Sequence, residues 1–367
     1  MFKKFIALLS VVCLVFCLFS CSNNGENASP LKKSDFIASG FDEETSFSYD
    51  EYEDYIIVTG VSGDPDDIEI PGTIGNKEVK AIGKDAFRNM GWVRSIDIPD
   101  TVVEIGEGAF YGSLGATEIR LSENLYKIGS SAFFGCDSVE KIRLPMSLRI
   151  IGGFAFADCK NLEGLAIPNG VSSIGGGAFE GTEWLSSQTD EFVIAGENVL
   201  IRYNGNDEKV TVPDEVRVVS GFYDNFFLKE VTFPESVEEI GEYAFINTSV
   251  TQVNLGENVR TIGKGAFDSC LNLEKITLNE KLEEIGSFAF ANCQMMSEFT
   301  VTDKVENVGD GAFSRCDSLK KLTFLSHKTE IGEDICESCS DSLKIVSTKN
   351  SPVVNYAKEK GFILDIV

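Results

Sequence analysis

Ile82-Gly83-Lys84-Asp85-Ala86-Phe87 is the stretch that decides the fold, because the chain writes the same pattern repeatedly. Ile105-Gly106, Ile128-Gly129, Ile151-Gly152 and Ile174-Gly175 are each followed, after two residues, by an Ala-Phe pair. The pattern then lapses and resumes at Ile240-Gly241, Ile262-Gly263, Ile285-Gly286 and Val308-Gly309. A last, decayed copy carries Ile331-Gly332 and Ile335-Cys336. Successive glycines are 23 residues apart, except for 22 between Gly241 and Gly263 and 66 across the lapse. A fixed period of this length is the mark of a repeat solenoid. One unit cannot bury its own apolar face, and stacked units bury a continuous core.

Working outward from the glycine, each unit reads as two short extended pieces. Leu273-Glu274-Lys275-Ile276-Thr277-Leu278 ends in period-two alternation, a strand signal. Pro99, Pro145, Pro168 and Pro234 close such segments, where a missing N–H is tolerated. A second piece, such as Val237-Glu238-Glu239-Ile240, leads into the glycine, which is expected to permit a turn that a side chain would hinder. Alanine then allows close approach, and phenylalanine fills the coil interior.

The unit Leu-x-x-Ile-x-Leu-Pro-x-x-Val-x-x-Ile-Gly-x-x-Ala-Phe-x-x-Cys resembles the BspA-like (treponemal-type) class of leucine-rich repeats, over roughly residues 45–350. The resemblance implies a leucine-rich-repeat right-handed superhelix of α/β type, dominated by short parallel β-strands at about 23 residues per coil. It also implies a bacterial surface lipoprotein engaged in adhesion and virulence. Its partners would be host extracellular matrix or cell-surface proteins, or other bacterial surface proteins.

The ends carry different signals. Lys3 and Lys4 precede an apolar run from Phe5 to Phe19, and a polar stretch follows at once, which reads as a signal peptide over 1–20. Leu18-Phe19-Ser20-Cys21 resembles a lipobox, so Cys21 is expected to take lipid; an ordinary signal peptide cut elsewhere is the competing reading. Membrane contact would then come only through the lipid anchor, with display at the bacterial cell envelope, on the outer membrane or cell surface. The expected organisation continues with the lipidated cysteine and flexible tether (21–40), an N-terminal β cap (41–80) and a first array (81–183). An irregular junction with a β-hairpin (184–236), a second array (237–348) and a helix-strand cap (349–367) complete it. The hairpin is expected around Ala195-Gly196-Glu197-Asn198. Two tandem arrays and one continuous solenoid with an insertion both fit this stretch. Trp184, Tyr203, Phe222, Tyr223, Phe226 and Phe227 are either an exposed patch there or the filling of an irregular coil.

The remaining chemistry is sparse. Cys136, Cys159, Cys270, Cys293, Cys316 and Cys339 all sit seven residues after a repeat glycine, where other coils place Ser113, Thr182 or Thr248. A position shared by Cys, Ser and Thr reads as a buried structural ladder, with no metal and no cofactor. Export leaves a disulfide open between Cys316 and Cys339 or between Cys336 and Cys339. The single histidine, His327, has no nucleophile motif beside it, and a catalytic role is not expected. Glu238-Glu239 and Glu283-Glu284 recur with the repeat and read as a solvated face. A net charge of −26 argues against nucleic acid, which needs basic clusters.

The expected binding face is the Leu-x-x-Ile-x-Leu ladder, taken as the concave side, since residues flanking the isoleucine point outward. There Arg120, Lys141 and Arg143 form a basic spot, and Thr232, Thr277, Thr300 and Thr323 form a hydroxyl column. Strand propensity alone also accounts for the threonines. Two further readings stand beside adhesion: a periplasm-facing envelope protein without a host ligand, and a carbohydrate-binding module. The second is weakened because these columns carry no aromatic side chains.

Overall fold

The computed structural model describes residues 30–32 and 34–367; the expected signal peptide and Cys21 lie outside the described residues. From the repeat region onward the chain is a solenoid of two ladders. The segments before the repeat glycines form the Ile–Gly ladder. Lys77–Ile82, Glu104–Ile105, Lys127–Ile128, Ile150–Ile151 and Ser173–Ile174 pair in parallel, isoleucine beside isoleucine. This ladder ends there and begins afresh with Val199–Tyr203. Val218–Val219, Glu239–Ile240, Thr261–Ile262, Glu284–Ile285, Asn307–Val308 and Glu330–Ile331 continue it.

The Leu-x-x-Ile-x-Leu segments form the other ladder, here the leading ladder. It runs through Asp67–Glu69, Ser95–Asp97 and Glu118–Arg120 in the first half. It resumes with Lys209–Thr211, Glu230–Thr232, Gln252–Asn254 and Lys275–Thr277. Glu298–Val301, Lys321–Phe324, Lys344–Ser347 and Ile363–Ile366 close it. Residues 141–143 and 164–166 form no strand, and Gly164 turns left-handed at φ 59°. Ile142 and Leu165 are buried all the same, so the inward–outward alternation persists.

Both halves open alike. Phe47–Tyr52 runs antiparallel to Ile56–Val61, which starts the first Ile–Gly ladder. Phe192–Ala195 runs antiparallel to Val199–Tyr203, which starts the second, as the Ala195–Asn198 turn predicts. Buried apolar side chains correspondingly gather in two cores, one from Phe47 to Val218 and one from Leu200 to Ala357. At the far end Ser351 caps the helix Pro352–Lys360, its side chain accepting from the Val353 N–H. Gly361, at φ 78°, stops that helix.

Inside the coils the phenylalanines stack. Phe87, Phe110, Phe133, Phe156 and Phe179 lie 5.1, 5.2, 5.3 and 5.7 Å apart between successive rings. Phe222, Phe245, Phe267, Phe290 and Phe313 repeat the arrangement at 5.1, 5.0, 5.4 and 5.7 Å. Each fully buried ring contributes about 2–3 kcal/mol of burial, and stacking adds about 0.5–1.5 kcal/mol.

The cysteines are rungs of the same interior. The thiols of Cys159, Cys270, Cys293, Cys316 and Cys339 donate to the phenylalanine carbonyl of the preceding coil at 3.0 to 3.3 Å. Cys136 makes the same bond at 3.6 Å. All seven cysteines among the described residues are free thiols.

The repeat glycine has a different cause from the expected turn. Its φ is not left-handed; a Cβ on Gly129 would lie 2.7 Å from the backbone of Gly106 and Glu107 in the preceding coil. The glycine is there for close stacking of coils. The left-handed residues fall two and six positions later, as at Gly108 and Gly112, with φ 63° and 73°.

Candidate protein-binding surface and inter-arm cleft

The leading ladder places its expected residues in solvent. Thr232, Thr277 and Thr300 are exposed and Thr323 is half-buried, while the alternating Val231, Phe299 and Leu322 are buried. Register extends the column: Thr211 lies beside Thr232, Asn254 beside Thr277, and Thr300 beside Thr323. Arg120, Lys141 and Arg143 are exposed as well. Two of the three are already neutralised: Arg120 pairs with Asp97 at 2.5 Å and Asp100 at 3.5 Å, and Arg143 pairs with Glu123 at 2.5 Å.

The aromatic residues of the junction divide. Tyr203, Phe222 and Tyr223 are core, and Trp184 packs edge-on against Phe179. Phe226 and Phe227 remain exposed. His327 is exposed in a loop. Among the described residues no group of His, Cys, Asp or Glu is placed to hold a metal ion, and no helix is long and apolar enough to cross a membrane.

Sequence reasoning missed that the two halves fold against each other. The faces brought together are the two Ile–Gly ladders, not the leading ladder. Near the junction, Arg202 and the Tyr223 hydroxyl both engage the Glu180 carboxylate. Next, the Gly176 N–H donates to the Glu242 carbonyl at 2.6 Å. The Glu242 carboxylate accepts from the Ser130 hydroxyl at 2.7 Å and from the Gly153 N–H at 2.9 Å. Farther out, Lys264 reaches across to Glu107 at 2.6 Å, and Lys84 holds the other oxygen of that carboxylate at 2.9 Å.

The position two residues after the repeat glycine, left-handed in coil after coil, carries aromatic rings where the arms meet. Phe154 and Tyr243 occupy the left-handed position, at φ 56° and 54°, a costly conformation for bulky side chains. Their rings meet across the arms with centroids 5.4 Å apart. A Cβ on Gly153 would lie 2.4 Å from the Tyr243 ring, and one on Gly176 would lie 2.5 Å from the Tyr243 carbonyl. The doubled glycines Gly152-Gly153 and Gly175-Gly176 were the available sequence signal.

The closed arms enclose a cavity of about 390 Å³. Glu239 and Glu284, expected on a solvated face, line it instead, because their rungs sit on the ladder that faces the other arm. Burial pushes the Glu239 carboxyl up to about 7; the bond from Ser173 opposes the rise, while Glu284 and Glu242 add to it. Burial alone raises Glu284. Burial pulls Lys264 down, but Glu242, Tyr243 and Glu107 more than reverse that and hold it above the ordinary lysine range. Burial raises Glu107, and Lys264 and Lys84 outweigh it to leave that carboxyl low.

With fold and surfaces in view, the class is defined: a bacterial-type leucine-rich-repeat solenoid. The sequence pattern described as the BspA type Leucine rich repeat region matches residues 80–194 and 218–343 in six copies, and the chain belongs to that family. No curated protein matches the chain. Among solved structures, a leucine-rich repeat protein from Bacteroides ovatus is 22% identical, covering 92% of this chain and 99% of its own, with a TM-score of 0.40. The pneumococcal vaccine antigen PcpA is 21% identical over 90% and 98%, with a TM-score of 0.42. A Treponema pallidum leucine-rich repeat protein is 23% identical over 71% and 88%, with a TM-score of 0.35.

Proposed function

We propose that the chain is an exported protein, anchored by lipid on Cys21 in the bacterial envelope, that binds other proteins at the cell surface through its leading ladder. The observation that carries this reading is the polar row of exposed Thr211, Thr232, Asn254, Thr277 and Thr300, ending at half-buried Thr323, on rungs fixed by buried neighbours. Such a row offers regularly spaced donors and acceptors on a rigid scaffold, so a partner pays little ordering cost on this side. Arg120, Lys141 and Arg143 extend the surface into the first half. With Asp97 and Asp100 paired to Arg120 and Glu123 paired to Arg143, this part of the surface presents alternating charge rather than a positive field. Host extracellular matrix proteins, host cell-surface proteins and other bacterial surface proteins are the partner classes.

The test is capture of matrix and cell-surface proteins by the immobilised chain lacking residues 1–21. Replacing Thr232, Thr277, Thr300 and Thr323 together by alanine should weaken capture at least tenfold, and Arg143→Glu should weaken it less. Binding no greater than that of an acidic control protein of equal charge refutes the reading. Protease treatment of intact cells tests display: a chain left uncut faces inward.

A further inference from the structure

The cavity between the arms has a patterned wall. Glu239, Thr261 and Glu284 stand in register on three neighbouring parallel strands of the second arm, all lining the cavity. Two strand spacings put the backbones of the two glutamates about 9.6 Å apart. Glu239 receives one side-chain hydrogen bond, from Ser173 at 3.3 Å. Among the described residues Glu284 has no side-chain hydrogen bond or ion pair. The lysines of the cleft are committed: Lys84 and Lys264 to Glu107, and Lys127 to a contact of its own. Ile150, on the first arm, supplies an apolar patch to the same space. A volume of about 390 Å³ lies in the range that accepts small molecules.

We propose that this cleft binds a linear aliphatic diamine or polyamine, with one ammonium on Glu239, the next on Glu284 and the methylene chain between them over Thr261 and Ile150. Two glutamates on backbones about 9.6 Å apart along one ladder suit two ammonium groups joined by a short apolar chain. A single amine satisfies only one of them. A dicarboxylate would meet charge of its own sign. Burial raises both carboxyls, and an ammonium group beside each would offset that cost of ionisation. Repeat glycines form part of the wall. Gly106, Gly129, Gly152, Gly263 and Gly286 leave the space open, and their backbones lie too close to the neighbouring coil to carry side chains.

Isothermal titration of the purified protein with 1,5-diaminopentane tests the proposal, with pentylamine and glutarate as controls. The expected result is saturable one-to-one binding of the diamine, at least tenfold tighter than pentylamine, and no binding of glutarate. Glu239→Gln and Glu284→Gln, which keep side-chain shape, should each weaken the diamine at least tenfold. Absence of saturable diamine binding to the unsubstituted protein overturns the proposal, whether or not the variants fold. So does pentylamine binding as tightly as the diamine, or loss in only one of the two glutamine variants, since either removes the two-point arrangement.

Discussion

Glu239→Gln should make the protein more stable, and only above acidic pH. The Glu239 carboxyl titrates near 7 in the folded chain, against an ordinary 4.5, with burial the main cause. Below pH 4.5 it is protonated whether the chain is folded or not, so the shift costs nothing there. Between pH 4.5 and 7 the unfolded chain releases its proton while the folded chain keeps it, and stability falls as pH rises. Above 7 the charge is present in the cleft and the loss is complete. At about 1.4 kcal/mol per unit the shift is worth about 3 kcal/mol, and the residue's partial solvent exposure reduces this to about 1–3 kcal/mol. Glutamine never ionises and can still accept from the Ser173 hydroxyl, so the variant escapes the loss. Urea unfolding followed by circular dichroism at pH 4.5, 6, 7 and 8 reads the difference directly. The variant should match the parent at pH 4.5 and gain progressively up to pH 8. A stability difference that stays flat with pH, or a variant weaker than the parent at pH 8, refutes the placement of this carboxylate between the arms.

Phe267→Ala removes a fully buried ring stacked between Phe245 and Phe290 and should cost about 3–5 kcal/mol, read as a lowered urea midpoint. Gly176→Ala tests closure of the arms without backbone strain, because that glycine is not left-handed and its Cβ would strike the Tyr243 carbonyl at 2.5 Å. It should cost about 1–3 kcal/mol. Gly72→Ala, whose Cβ would find its first neighbour at 3.8 Å, should stay within about 0.5 kcal/mol. Equal effects from these two glycine variants would refute the inter-arm contact.

The solenoid was legible because its causes are local. A rung of Ile, a filling Phe and a thiol seven residues past the glycine recur every 23 residues, and each is explained by the coil immediately before it. Even the hairpin that opens the second half has a local cause, in the Gly196 and Asn198 positions with φ 57° and 60°. The cleft has no such local cause. Lys264 and Glu107 are 157 residues apart, and Ser130 and Glu242 are 112 apart. No period predicts which rungs of one array meet which rungs of the other. Reading Glu238-Glu239 and Glu283-Glu284 as one solvated face followed from treating the solenoid as straight. In a folded-back molecule Glu238 still faces water and pairs with Arg217, while Glu239 faces the other arm. What the sequence does record is the concession each arm makes to the other. In the first array the residue after the repeat glycine is Lys84, Glu107 or Ser130 far from the junction, but glycine at Gly153 and Gly176, the two coils that meet Tyr243. In the second array the matching positions keep Glu242 and Lys264, the side chains that cross the gap. Glycine on one side and a reaching charge on the other is therefore the pairing by which a repeat sequence can encode a fold-back, and Gly176→Ala is the substitution that isolates it.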